Sequence, residues 1–186
     1  MAISATDAQG VLSRAECIFD DETIQRALDE MGRKIAEEIQ NENPIVICVM
    51  TGGLIATSEI IKRLPFPLEL DYLHASRYGD ATVGDNLSWK TRPGKLLKDR
   101  TVLIVDDILD VGKTLHEIIE YVKSEGAKKT YTAVLVDKIH DRKEGVTSAD
   151  FTGVTVPDKY VFGYGMDYKQ YLRNVKGIFA AHKDDE

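Results

Sequence analysis

Residues Thr101–Leu115 read TVLIVDDILDVGKTL, and this stretch decides the fold. Thr101 to Val105 form a continuous run in which four residues are aliphatic. Strands buried on both faces of a parallel sheet look like this, whereas strands with one wet face alternate. The run is expected to end where two carboxylates follow, Asp106 and Asp107, with a third at Asp110. Gly112-Lys113-Thr114 then opens a helix. Leu115, Ile118, Ile119 and Val122 fall on one face, and Gly126 stands where a C-terminal cap belongs. The order is strand, acidic loop, glycine turn, helix. In open α/β sheets ligands bind at the carboxyl ends of strands, which is where this loop lies.

The residue types of the loop point to a ligand. Backbone N–H groups at a helix N-terminus, freed by Gly112 and helped by the Thr114 hydroxyl, suit a phosphate. Gly112-Lys113-Thr114 matches the end of a P-loop, but the first P-loop glycine would fall at Asp107, which argues against a nucleoside triphosphate in a Walker cradle. Carboxylates suit sugar hydroxyls, which donate hydrogen bonds to them, and Mg²⁺, which takes oxygen ligands. A monophosphate on the helix end and a diol on the aspartates together describe a ribose 5-phosphate.

The 186 residues suggest one domain with a good core. The net charge of −7 speaks against a protein that coats nucleic acid. Cys17 and Cys48 lie far apart and in no metal spacing, so a reduced, cytoplasmic protein is expected. No run of 18 apolar residues suggests a membrane span.

Met1 to about Cys17 is weakly patterned and reads as a loose arm, with a short strand near Cys17–Phe19. Ile24, Ala27, Leu28, Met31, Ile35 and Ile39 follow the helical period after the acidic residues 20–22. Ile45–Met50 is a second buried strand, followed by Thr51-Gly52-Gly53 and a helix over Leu54–Leu64. That repeats the central architecture and offers amides for a second anion, or a plain turn. Leu68–Ala75 alternates as a strand. The polar stretch from Ser76-Arg77-Tyr78 to about Gly94 reads as a lid or a hairpin. Thr130–Val136 is a further strand, ending at Asp137-Lys138. His140–Asp150 is charged and reads as exposed. Phe151–Val156 is a short strand, Lys159–Tyr168 an aromatic, glycine-rich ribbon, and Gly177–Ala181 a last strand.

VLIVDDILDVGKTL resembles the phosphoribosyl-pyrophosphate (PRPP) motif of the type I phosphoribosyltransferases, and the chain is most similar to their hypoxanthine-guanine branch. The resemblance covers roughly Ile45 to Arg173. It implies an α/β fold, a mostly parallel central sheet flanked by helices, with a small hood and a flexible loop. The single domain 1–186 would have its core at about 20–140, its hood in the N-terminal arm and about 150–186, and its loop at about 77–94. PRPP would be held by Asp106, Asp107, Asp110, Val111, Gly112, Lys113, Thr114, Thr51, Gly52 and Arg173. The short loop at Thr51 often carries a non-proline cis peptide in this family, by position Met50–Thr51. Relatives often have Lys or Arg where this chain has Thr51, so one positive charge for the pyrophosphate is missing. Lys138, Tyr160, Val161, Met166 and Asp167 would bind the purine, with Lys138 on its 6-oxo group and Tyr160 stacked on the ring. Ser76, Arg77 and Tyr78 would begin the flexible loop. Mg²⁺ would be the cofactor, near Asp106, Asp107 and Asp167.

The resemblance implies purine salvage: the 5-phosphoribosyl group passes from PRPP to hypoxanthine or guanine, giving IMP or GMP and pyrophosphate. Asp110 would be the general base. It further implies small-molecule substrates, no nucleic acid or membrane partner, and a homodimer or homotetramer. Two alternatives stay open, a PRPP-sensing regulator on the same fold and an enzyme for another base such as xanthine. A receiver-type signalling domain also contains VLIVDD, but places it at its start, with its phosphoacceptor at a later strand end.

Overall fold

The computed structural model describes residues 3–76 and 87–185. Its centre is a six-stranded sheet in the order β4-β3-β2-β5-β6-β7. The strands are β2 (Ile45–Met50), β3 (Glu69–Ser76), β4 (Ser88–Thr91), β5 (Thr101–Leu109), β6 (Lys129–Ile139) and β7 (Phe151–Pro157). All neighbours are parallel except β3 and β4. The helices are α1 (Ala5–Arg14), α2 (Asp21–Ile39), α3 (Gly53–Ile61) and α4 (Lys113–Ser124).

Residues Thr101–Val105 of β5 are sealed on both faces, as their composition requires. Leu103 and Val105 join Val46, Ala56, Ile60, Leu28 and Ile35 in a core against α2 and α3. Val102 and Ile104 join Ile45, Ile47, Leu115, Ile118 and Val122 in a core against α4. Alternate side chains of a strand point to opposite faces, so an unbroken apolar run is needed to fill both layers. On β3 the buried face carries Leu73 and Ala75, while Leu70 and Tyr72 stand about half exposed.

A second sheet, β1-β9-β8, forms the hood from β1 (Glu16–Phe19), β9 (Ile178–Ala180) and β8 (Val161–Phe162). Val11 of α1 packs there with Phe162, Tyr168 and Ala181.

Four expectations need correction. The arm before Cys17 is not loose: it contains α1, started by a capping box in which Ser4 and Asp7 bond reciprocally. The central strand does not stop at Asp106. Its pairing with β6 continues through Asp106↔Val134 and Ile108↔Val136, so both aspartates lie within a strand. Phe151–Pro157 belongs to the large sheet and not to the hood, because it pairs in parallel with β6. Asp150 secures that junction, accepting the Thr132 N–H and hydroxyl at 2.8 Å each. Of the loop read at about 77–94, Arg77 and Tyr78 lie outside the described residues, and Ser76 ends β3. Ser88–Thr91 form β4, antiparallel to β3.

Among the described residues no helix is long and apolar enough to cross a membrane.

Ile104 is fully buried at the middle of this arrangement. Ile104→Ala is expected to cost about 2–5 kcal/mol of unfolding free energy. Leu96→Ala, at a side chain 77 % exposed, is expected to stay within about 0.5 kcal/mol. Urea midpoints at unchanged slope check both.

Candidate active site

The turn after β2 and the acidic end of β5 meet. A Cβ on Gly52 would lie 1.9 Å from Asp107 Oδ2, so only glycine lets this backbone approach the carboxylate. The Met50–Thr51 peptide bond is cis, and the Thr51 side chain is exposed. The hood closes on the same point. A Cβ on Gly165, whose φ is +107°, would lie 2.1 Å from the Gly52 carbonyl oxygen. Arg173 fixes that contact: its Nη1 donates to the Gly165 carbonyl at 2.7 Å, and its Nη2 pairs with Asp167 at 2.7 Å. Gly52, Asp107, Gly165 and Arg173 are thus brought together from four segments.

Asp106 and Asp107 are held by the main chain. Asp106 Oδ1 accepts the Asp107 N–H at 2.9 Å, and Asp107 Oδ1 accepts the Ile108 N–H at 2.8 Å. Burial pushes both carboxyls above the ordinary aspartate range. For Asp106 the adjacent Asp107 charge adds to the rise. For Asp107 the bonds to Asp106 and Ile108, and the Arg173 charge, take part of it back.

The N-terminus of α4 has no side-chain cap. Its N-cap is Gly112, with φ +91°, where a Cβ would strike the Val146 carbonyl oxygen at 2.1 Å. First-turn amides at such a terminus favour an anion. Thr114 lies in that turn and is partly accessible. Lys113 pairs with Glu144 at 2.7 Å, and the Glu144 N–H donates to the Val111 carbonyl at 2.7 Å. The segment after β6 therefore packs on the loop before α4 and is not simply an exposed charged stretch.

Asp110 is bonded on both oxygens. Lys138 Nζ donates to Oδ2 at 2.8 Å, and His140 Nε2 lies 2.7 Å from Oδ1. Burial alone would raise this carboxyl, but Lys138 and His140 outweigh it and hold it below the usual range. Lys138 therefore belongs to the same rim as the aspartates, with its head group on Asp110. His140 went unrecognised in the sequence, where only its place two residues after Lys138 marked it.

The aromatic ribbon is a tight turn. Tyr160 is 38 % exposed and meets Tyr168 edge-on, with centroids 5.4 Å apart. Val161 is buried in β8, opposite Ala180. Met166 is 3 % exposed, and its side chain is packed in the main core. Asp106, Asp107 and Asp167 do not form a preformed three-residue metal cluster. Among the described residues no three acidic, His or Cys groups are placed to hold a metal, and Asp167 is paired with Arg173. Asp106 and Asp107 alone offer hard oxygen donors whose mutual repulsion a dication would relieve. Mg²⁺ is usually held by one or two carboxylates plus substrate phosphates, and this pair fits that pattern.

A carboxyl whose folded-state pKa is raised stabilises fully below the ordinary aspartate range and loses that contribution as pH climbs through the raised value. Asp106→Asn keeps an oxygen for the Asp107 N–H and removes the charge. It is expected to raise the ligand-free Tm by a few degrees at neutral pH, and by less under acid conditions. Calorimetry across that range checks this; a lower Tm, or a gain independent of pH, would contradict the electrostatic reading.

Comparison with known proteins agrees with this geometry. The phosphoribosyl transferase domain family matches residues 15–170. The hypoxanthine-guanine phosphoribosyltransferase of Bacillus subtilis is 34 % identical over 168 residues, covering 87 % of this chain and 89 % of that protein. The bifunctional protein TilS/HprT of Listeria innocua is 32 % identical over 87 % of this chain, which spans only 25 % of that longer protein. The crystal structure of a hypoxanthine phosphoribosyltransferase from Staphylococcus aureus superposes with a TM-score of 0.86 at 26 % identity, covering 98 % of this chain and 97 % of that one. The fold, the acidic strand end and the glycine turns accordingly identify the chain as a member of the phosphoribosyl transferase family, most similar to its hypoxanthine-guanine enzymes.

Proposed function

We propose that the protein transfers the 5-phosphoribosyl group from PRPP to a 6-oxopurine, hypoxanthine or guanine, releasing pyrophosphate. The observation that carries this reading is the convergence of the uncapped α4 N-terminus, Asp106–Asp107 and the Gly52 turn on one rim. An anion site, a pair of hydroxyl acceptors and a second patch of amides in that order match a phosphate, a ribose and a pyrophosphate.

In this reading the amides at Gly112 to Thr114, the Thr114 hydroxyl and Lys113 bind the 5-phosphate, beside the backbone of Val111. Asp106 and Asp107 accept the ribose hydroxyls, and both must then be charged. Mg²⁺ supplies charge neutralisation of the leaving pyrophosphate when bound. Thr51 and Gly52 offer it backbone groups, and Arg173 supplies the cation that Thr51 lacks. Asp110 takes the proton from the purine ring nitrogen. Lys138 leaves Asp110 to donate to the 6-oxo group, and Tyr160 covers the ring beside the Val161 backbone.

A second copy of the chain as partner, in a homodimer or homotetramer, is supported by Leu70 and Tyr72, 49 % and 50 % exposed on one face of β3. The unpaired Cys17 and Cys48 support a cytoplasmic setting, and the net charge of −7 supports no nucleic-acid partner.

The test is purine-dependent release of pyrophosphate from PRPP with Mg²⁺. The protein is expected to turn over, and Asp110→Asn to lose about 10²–10⁴-fold in rate with PRPP still bound. PRPP binding without any turnover would favour a regulator on this fold.

A further inference from the structure

His140 has no part in the reaction as described so far. Its ring is 3 % exposed, just beyond the end of β6. Nε2 lies 2.7 Å from Asp110 Oδ1, and Nδ1 lies 3.0 Å from the Arg142 backbone nitrogen. A backbone N–H can only donate, so Nδ1 is its acceptor and carries no proton. The ring proton then sits on Nε2 and points at Asp110. The main chain fixes this tautomer, independently of the carboxylate.

The two partners of Asp110 differ in kind. Lys138 carries its ammonium on a flexible stem, and the proposed reaction sends that ammonium to the base. His140 is buried, and Arg142, which anchors it, is itself paired with Asp158 at 2.6 Å. When Lys138 leaves, Oδ2 is vacated while Oδ1 keeps its donor.

We propose that His140 is a positioning residue for Asp110, a neutral Nε2–H donor that holds the carboxylate with Oδ2 turned to the incoming purine ring nitrogen. This rests on Asp110 being the base. In the step, the purine N–H bond breaks and its electron pair stays on the ring. A ring nitrogen bonds the ribosyl carbon as pyrophosphate leaves, and the proton goes to Oδ2. His140 keeps its own proton throughout. The charged groups around Asp110 are Lys138 and Arg142, with Asp158 behind Arg142, and His140 is the neutral titratable group beside it. A donor to a carboxylate favours its charged form, so removing His140 moves the acid limb of the rate profile to higher pH.

The experiment is the single-turnover rate of nucleotide formation in His140→Ala, His140→Gln, Asp110→Asn and the double variant Asp110→Asn/His140→Ala. Thermal unfolding accompanies each. Misplacing a reacting group by about 1 Å costs up to about 100-fold, so His140→Ala is expected to slow the step by about 10- to 100-fold. PRPP affinity should be unchanged, and the acid limb should move up. Gln places an amide N–H near the position of Nε2 and is expected to restore most of the rate. In the Asp110→Asn background, His140→Ala should cost little more. A His140→Ala enzyme with parental rate and pH profile, a folded Gln variant no better than Ala, or an undiminished His140→Ala effect in the Asp110→Asn background would each overturn the assignment. Full activity in Asp110→Asn would instead overturn the base reading itself, and His140 with it. Should His140→Ala not fold, the folded Gln variant decides: near-parental rate and profile support the assignment, and the slow rate of a lost donor overturns it.

Discussion

Two aspartates stand side by side at the end of a strand whose first five residues are sealed on both faces. Neither is at ease there. Burial raises both carboxyls, the Asp107 charge raises Asp106 further, and the main-chain N–H groups and Arg173 offset only part of that cost. Strain of this kind persists only where the surrounding structure over-determines it. Here β5 is locked between β2 and β6, and Gly52 and Gly165 bring two further segments against Asp107. A ligand rich in hydroxyl donors and accompanied by a divalent cation, as proposed, would relieve that cost.

The site is divided between two structural layers. In the proposed reading, the large sheet supplies the groups for the sugar phosphate: Asp106, Asp107 and the α4 terminus. The hood supplies Tyr160, Val161 and the Asp167–Arg173 pair. The segment after β6 joins the two halves. Lys138 and His140 bond Asp110, Glu144 bonds Lys113 and Val111, and Arg142 reaches Asp158 at the start of the hood. Asp110 and Lys138 satisfy one another. In the proposed reaction, a base that accepts a hydrogen bond at its 6-position replaces Asp110 as the partner of Lys138 and releases the carboxylate.

The sheet could be read from the sequence because a strand buried on both faces must be apolar at every position. Thr101–Val105 and Ile45–Met50 could be little else. The glycine turns and α4 were legible for the same local reasons. What escaped depends on partners distant in the chain. The strand runs on through Asp106 and Asp107 because β6 continues beside it. Phe151–Pro157 joins the large sheet because of its neighbour, which composition does not specify. His140 finds Asp110 across 30 residues, a separation no local spacing encodes. The helix α1 was missed although its capping box, Ser4 and Asp7, stood in the sequence; only Ala8 and Val11 are buried along it, too few to set a period.

The central claim is that a rim of fixed donors and acceptors selects a 6-oxopurine for ribosyl transfer. Lys138 can donate and cannot accept, so a 6-oxo group satisfies it and the 6-amino group of adenine does not. A site built on such a bond rejects the wrong partner by about 10⁴-fold or more. The most direct measurement is kcat/KM for hypoxanthine, guanine, xanthine and adenine with PRPP and Mg²⁺. Efficient use of hypoxanthine or guanine, with adenine poorer by about that factor, is the predicted result. Adenine used as well as hypoxanthine, or no base used at all, would contradict it.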